Sequence, residues 1–319
     1  MAYSLDTVID MLTSSHLPED IDNKLLSIYV KCFPYAIANI PVNRITQELC
    51  DLAVTTFPDA LQYIPEEFQS DQMIRNALQR DGEIIRHLPL CKRDAFAEIA
   101  VESSPNAIQY LSKRTYNMCK AAILKDGMTI RHITENYPLL EQLAIQTTPM
   151  AMIYLAGKLS LQDYVHIMKK DGMLLRYVPN KTPEIVMEAV KQNSLALQFA
   201  PESFHTSELY DIAISNPDTI EWMCYPSENH QLAAVKANGL NIKHIRVPTD
   251  TVKREAILQN PTAIRYVNGE YYALLAVAMN GLTLEYIREQ TIPVCLSAVA
   301  QNPNARQFVK ICVDFPIGR

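Results

Sequence analysis

The sequence predicts an all-α repeat fold, an α-solenoid (α-α superhelix) of about 13 short helix-corner-helix units. Three observations predict it. Punctuation recurs every 20–24 residues, at Pro34, Pro58, Gly82, Pro105, Gly127, Pro149, Gly172, Ser194, Pro217, Gly239, Pro261, Gly281 and Pro303. Three residues after these anchors the chain is aliphatic in twelve of thirteen units, and six residues after them it is apolar in all thirteen. Five residues before the anchor stands alanine in ten of thirteen, from Ala53 and Ala77 to Ala276 and Ala298. The period-two alternation of strands is missing.

Each part of a unit has a physical reason. The segment before the anchor, such as 117–125, reads as a helix whose alanine lets a neighbour approach closely. The corner is Asp-Gly, Asn-Gly or Asn-Pro. Glycine is expected to end the helix in the left-handed conformation. Proline after a capping Asn suits a first helical turn. A second, shorter helix follows. At about 100° per residue its positions two, three, five and six form one broad face, and position four points away. Position five carries a ring in twelve of thirteen units, including Tyr63, His87, Tyr154, Tyr177, Trp222 and Phe308, and these rings are expected to face inward. A further proline at Pro41, Pro65, Pro89, Pro179 or Pro201 ends that helix. From Pro58 to Pro149, and again from Pro217 to Pro303, Gly and Pro corners alternate, so the true period is a pair of units.

The expected organisation is an N-terminal helical cap or degenerate unit at 1–25, a repeat array at 26–309 and a tail at 310–319. The tail carries Ile311, Val313 and Phe315, which suggests docking in a groove or a homodimer through this end.

The matching stretches Lys-Asp-Gly-Met-Thr-Ile-Arg-His-Ile at 125–133, Lys-Asp-Gly-Met-Leu-Leu-Arg-Tyr-Val at 170–178 and Gln-Asn-Pro-Thr-Ala-Ile-Arg-Tyr-Val at 259–267 carry a resemblance. Over Leu26 to Val309 the chain resembles a domain-of-unknown-function family of α-helical repeats, roughly 45–50 residues each, found in effectors of intracellular bacteria and in large DNA viruses. The resemblance implies an effector or viral protein that engages a host protein. It implies no catalytic residues.

Composition bounds the chemistry. Apolar residues make 48% and charged residues 20%, a folding composition. A net charge of −6 argues against wholesale binding to nucleic acid or anionic membrane. Seven cysteines form no C-x-x-C pair, so neither zinc spacing nor a disulfide framework is expected, and most read as small apolar fillers in a reducing compartment. No signal peptide or membrane span is read, and a cytoplasmic location, or the host cytosol for a secreted or viral protein, is expected. The motifs G-x-S-x-G, H-E-x-x-H, G-x-x-x-x-G-K and G-x-G-x-x-G are all absent. His87, His132 and His244 occupy the ring position and lie too far apart to share an ion. No cofactor, no metal and no enzymatic activity are therefore expected.

The remaining feature is a polar ridge four residues after the anchor. Arg86, Arg131, Arg176, Lys243 and Arg265, with Gln109 interleaved, are suited to grasping carboxylates or backbone amides of a protein or peptide. A solubilising helix face is the competing explanation. Two further functions compete with protein binding. One is a helical repeat for nucleic acid, against which the acidic balance speaks. The other is an enzyme whose site is assembled across units.

Overall fold

The computed structural model describes residues 22–311, and among them every regular element is helical. The chain divides into two compact units, the first ending at Gly157 and the second beginning at Lys158. The expected N-terminal cap at 1–25 falls almost wholly outside the described residues. So do Cys312 and most of the expected C-terminal tail.

The first unit holds six hairpins. Its α-helices are Asn23–Cys32, Gln47–Thr56, Asp71–Arg80, Leu90–Ser103, Tyr116–Lys125 and Pro138–Thr147. The second unit holds seven, on Leu161–Lys170, Pro183–Gln192, Ser207–Ala213, Glu228–Ala237, Asp250–Gln259, Glu270–Met279 and Ile292–Gln301. Eight of these helices start at a Ser or Thr whose hydroxyl accepts an N–H of the first turn, at Thr46, Ser70, Thr115, Ser160, Thr182, Thr206, Ser227 and Thr249.

The second helix of every hairpin is not an α-helix. It is a six-residue 3-10 helix beginning at the anchor, for example Gly82–His87 or Pro261–Tyr266. Its last bond runs from the N–H of position six to the carbonyl of position three, as from Val267 to Ile264 at 3.1 Å. A 3-10 helix turns about 120° per residue, so positions three apart eclipse one another. Positions three and six therefore stack toward the core, while positions one and four share the outward side. The aliphatics at position three, such as Ile37, Leu61, Ile85, Ile108, Leu175 and Leu284, are fully buried. Each contributes roughly 1.5–3 kcal/mol of apolar burial. Within each unit the 3-10 helices of successive hairpins pack on one another. In the first unit the α-helices do the same, in a second layer.

The structure explains the corner differently from the expectation. None of the anchor glycines has positive φ; among the described residues Gly157 (φ +84°) and Gly269 (φ +120°) do, and neither is an anchor. The anchor glycines are there because a Cβ has no room. At Gly82, Gly127, Gly172, Gly239 and Gly281 a Cβ would collide with the backbone carbonyl of the recurring alanine in the next hairpin: Ala100, Ala144, Ala189, Ala256 and Ala298. The glycine N–H is used as well. It donates to Ser104 Oγ (3.0 Å), Thr148 Oγ1 (3.1 Å), Gln192 Oε1 (2.7 Å), Gln259 Oε1 (2.6 Å) or Gln301 Oε1 (2.6 Å) at the end of that next helix. Proline has no N–H to give. This contact makes the pair of units the true period: a Gly corner is clamped to the Pro- or Ser-cornered hairpin that follows.

Asp or Asn before the anchor caps the 3-10 helix by accepting the N–H two residues on. Asp81, Asp126, Asp171, Asn193, Asn216, Asn238, Asn260, Asn280 and Asn302 all do so. The ten alanines five residues before the anchor are all buried, as expected. Of the cysteines, Cys50, Cys119 and Cys295 are buried fillers, whereas Cys32 and Cys91 are exposed.

Candidate functional site

The outward side of the 3-10 layer carries the predicted ridge. Arg86 and Arg131 lie exposed on consecutive Gly-cornered hairpins of the first unit, with Gln109 half-buried between them. Arg176, Lys243 and Arg265 lie exposed on the second unit.

The rings at position five join this surface, contrary to the inward placement expected of them. Tyr63, Tyr154, Tyr177 and Tyr266 are 42%, 43%, 43% and 46% exposed, and the rings of His87, Tyr110, His132, Phe199, Trp222, His244, Tyr286 and Phe308 are half-buried. The reason is the 3-10 turn. Position five eclipses position two, which is already filled by a buried small residue such as Ala60, Ala107, Ala151 or Ala263. The ring stands at the end of the helix and spreads over the rim of the layer. Cations and rings thus form one strip in each unit.

The cations are held in two ways. In the first unit they bridge hairpins. Arg86 Nη2 donates to Asp59 Oδ1 (3.1 Å), its Nη1 faces Glu83 (3.7 Å), and its Nε donates to His87 Nε2 (2.9 Å). Arg131 repeats the pattern, with Nη2 to Asn106 Oδ1 (3.3 Å) and Nε to His132 Nε2 (2.8 Å). Asp59 and Asn106 occupy position one of the preceding hairpin, on the same outward side as position four. Asp59 Oδ1 also lies 3.2 Å from His87 Nε2, so guanidinium, imidazole and carboxylate meet in one cluster. Burial first, and the neighbouring Arg86 next, hold His87 below its ordinary value; burial and then Arg131 do the same to His132.

In the second unit the cations lie on rings. The Arg176 guanidinium sits 5.1 Å from the centre of Tyr177 and 5.6 Å from that of Phe199, and Arg265 sits 4.1 Å from that of Tyr286. Lys243 has no hydrogen bond or ion pair among the described residues.

Two arrangements were invisible in the sequence. The first is Asp211–His230–Ser227, the nearest approach to a nucleophile array. His230 Nε2 lies 2.7 Å from Asp211 Oδ1, and Nδ1 lies 2.9 Å from Ser227 Oγ. Ser227, however, is the cap of helix Glu228–Ala237: its hydroxyl accepts the His230 N–H, and His230 Nδ1 accepts the Ser227 N–H (3.2 Å). The pair is a capping box with histidine in the place of glutamate. It also joins helix Ser207–Ala213, whose Tyr210 ring meets the His230 ring edge-on. The second arrangement is a cleft beside Gln231. Among the described residues no cluster of three or more His, Cys, Asp or Glu side chains is placed to hold a metal ion, and no helix is long and apolar enough to cross a membrane.

The sequence profile of a domain of unknown function, DUF4116, matches residues 166–205. That segment holds one Gly-cornered hairpin turn at Gly172 and the following turn at Ser194, together with the Gly172–Gln192 clamp. No curated protein and no solved structure matches the chain. Over residues 166–205 the chain is thus similar to DUF4116, and the described residues as a whole form a helical-repeat scaffold whose outward strip is made of rings, arginines and amides.

Proposed function

We propose that this chain is a non-catalytic, protein-binding repeat scaffold, and that the strip of position-four cations and position-five rings is its contact surface. The observation that carries the reading is the repeated exposure of tyrosine, beside arginine at Arg176–Tyr177 and Arg265–Tyr266, on the packed 3-10 layer. Tyr and Arg supply most of the energy at protein interfaces, because they offer large area and directional bonds at low entropic cost. A folded chain that leaves such rings half-exposed on hairpin after hairpin is presenting them. The resemblance noted above supports a bacterial effector or viral protein working on a host protein in the cytosol.

The geometry selects the residues for the test. Reversing Arg86 would set a carboxylate beside Asp59 and Glu83, mixing a stability effect into binding. Arg176, Lys243 and Arg265 form no ion pair among the described residues. The triple variant Arg176→Glu, Lys243→Glu, Arg265→Glu should keep its far-UV circular dichroism and Tm and lose captured partners from host-cell lysate. Undiminished capture removes the strip from consideration. Retention of single-stranded RNA by the wild-type chain at low salt would favour the nucleic-acid reading instead, since exposed rings beside arginines also stack bases.

A further inference from the structure

The exit turns of two neighbouring hairpins in the second unit depart from the repeat. Eight residues after the anchor the chain has left the 3-10 helix and faces solvent. That position is polar in six hairpins, at Glu66, Lys113, Glu135, Asn180, Glu202 and Glu289, and glycine in two, at Gly157 and Gly269. On the hairpins of Pro217 and Gly239 it is Tyr225 and Val247, exposed to 87% and 81%, above every other large apolar side chain described. Val42, Leu90 and Ile311 are apolar there too, but Glu66 separates the first two and Glu289 precedes the third. Only at Tyr225 and Val247 do two consecutive hairpins place apolar side chains there.

These two side chains line a cleft of about 270 Å³ together with Met223, Gln231, Ile245 and Arg246. Gln231 breaks a second rule. Four residues after the helix cap most hairpins bury an apolar side chain, as with Leu26, Cys50, Ile74, Cys119, Val186 and Cys295. Gln231 stands in that position, 9% exposed. Its Nε2 donates to Pro226 O (3.1 Å), but its Oε1 is buried without a hydrogen-bond partner. A buried acceptor left unmade costs roughly 1–3 kcal/mol. Arg246 is exposed and pairs with no carboxylate among the described residues. Departures from the repeat rules of this kind mark functional positions.

We infer that this cleft binds an extended peptide segment carrying a large apolar side chain followed by an acidic one. The apolar side chain fills the space between Tyr225 and Val247, the carboxylate meets Arg246, and a peptide N–H donates to Gln231 Oε1. Each part of the occupant is set by something unmet: exposed apolar walls, an unpaired cation and an orphaned acceptor. Cys224, which also lines the cleft, takes no part as a nucleophile. Burial, and then Glu202, raise its thiol above the ordinary range, so it stays neutral. The inference goes beyond the strip and holds whether or not the strip binds anything.

The test uses the full chain and a fluorescein-labelled hexapeptide, Ala-Ala-Phe-Glu-Ala-Ala, read by anisotropy. Saturable binding is expected. Peptides with Ala for Phe, or Lys for Glu, should bind about tenfold more weakly, the loss expected for one buried side chain or one charge-assisted contact. The protein variant Arg246→Glu should lose about as much. Gln231→Leu restores the repeat's apolar residue, so its Tm should hold or rise while its affinity falls. Lys120→Glu, exposed on helix Tyr116–Lys125 of the first unit, should bind the hexapeptide unchanged. No saturable binding by folded wild type overturns the inference, as does equal binding by Gln231→Leu. A dimer that dissociates on Arg246→Glu, with no peptide binding, would assign the cleft to a second copy and overturn it too.

Discussion

The two ends of one short 3-10 helix, Gly172–Tyr177, both recur along the chain, for opposite reasons. At its start Gly172 is sealed. Its N–H is bonded to Gln192, and a Cβ would strike the Ala189 carbonyl. At its end Tyr177 stands 43% exposed beneath Arg176. Recurrence at the first position is enforced by backbone meeting backbone. At the second it keeps a surface of constant chemistry. A repeated residue is therefore evidence of a repeated environment, and not of burial.

The contrast is broken most sharply at the sealed end. Gly172→Ala should destabilise the chain by about 3 kcal/mol in urea unfolding, the upper range for overpacking, because the obstacle is backbone that cannot rotate away. A loss below about 0.5 kcal/mol, the range of neutral surface changes, would show that the hairpins have slack at the corner. An intermediate effect is expected at the open end. Tyr154→Ala should cost about 2 kcal/mol, clearly less than the roughly 3–5 kcal/mol of deleting a fully buried aromatic. Tyr164→Ala, on a ring only 8% exposed, should reach that larger range. Equal costs at Tyr154 and Tyr164 would contradict the outward placement.

The smallest effect is electrostatic. His87 and His132 have folded values below their ordinary 6.5, so the unfolded chain takes up protons first as pH falls. Their contribution is intact above about 6.5 and is lost progressively as pH drops toward the lowered folded values. A double variant, His87→Phe with His132→Phe, should flatten the acid side of the stability profile between those limits. An unchanged profile would mean that neither imidazole is shifted by its burial and its arginine.

Much of the architecture was legible in the sequence. The anchor spacing placed all thirteen corners, the aliphatics at positions three and six defined the core side, and the alanines marked the close approach. The type of the second helix was not legible. Over six residues an α-helix and a 3-10 helix bury nearly the same aliphatics, and they part only at position five, where the rings sit. The role of the anchor glycines was misread because local conformational preference was considered and the carbonyl of a residue 17 or 18 positions on was not. The break between compact units at Gly157 carries no composition signal. The ridge was legible as a row of exposed cations, but its bridges to Asp59 and Asn106 needed the eclipsed outward side of a 3-10 helix. Gln231 and the cleft stayed hidden because the reading was anchored on corners, whereas their departure from the pattern shows only when the α-helices are aligned on their caps.

The outward placement of the rings is tested most directly by hydroxyl-radical footprinting of the free protein, with oxidation of each tyrosine read by mass spectrometry. Tyr177 and Tyr266 should be oxidised at rates approaching that of Tyr225, with Tyr164 and Tyr210 protected. Protection of Tyr177 and Tyr266 to the level of Tyr164 would contradict the account.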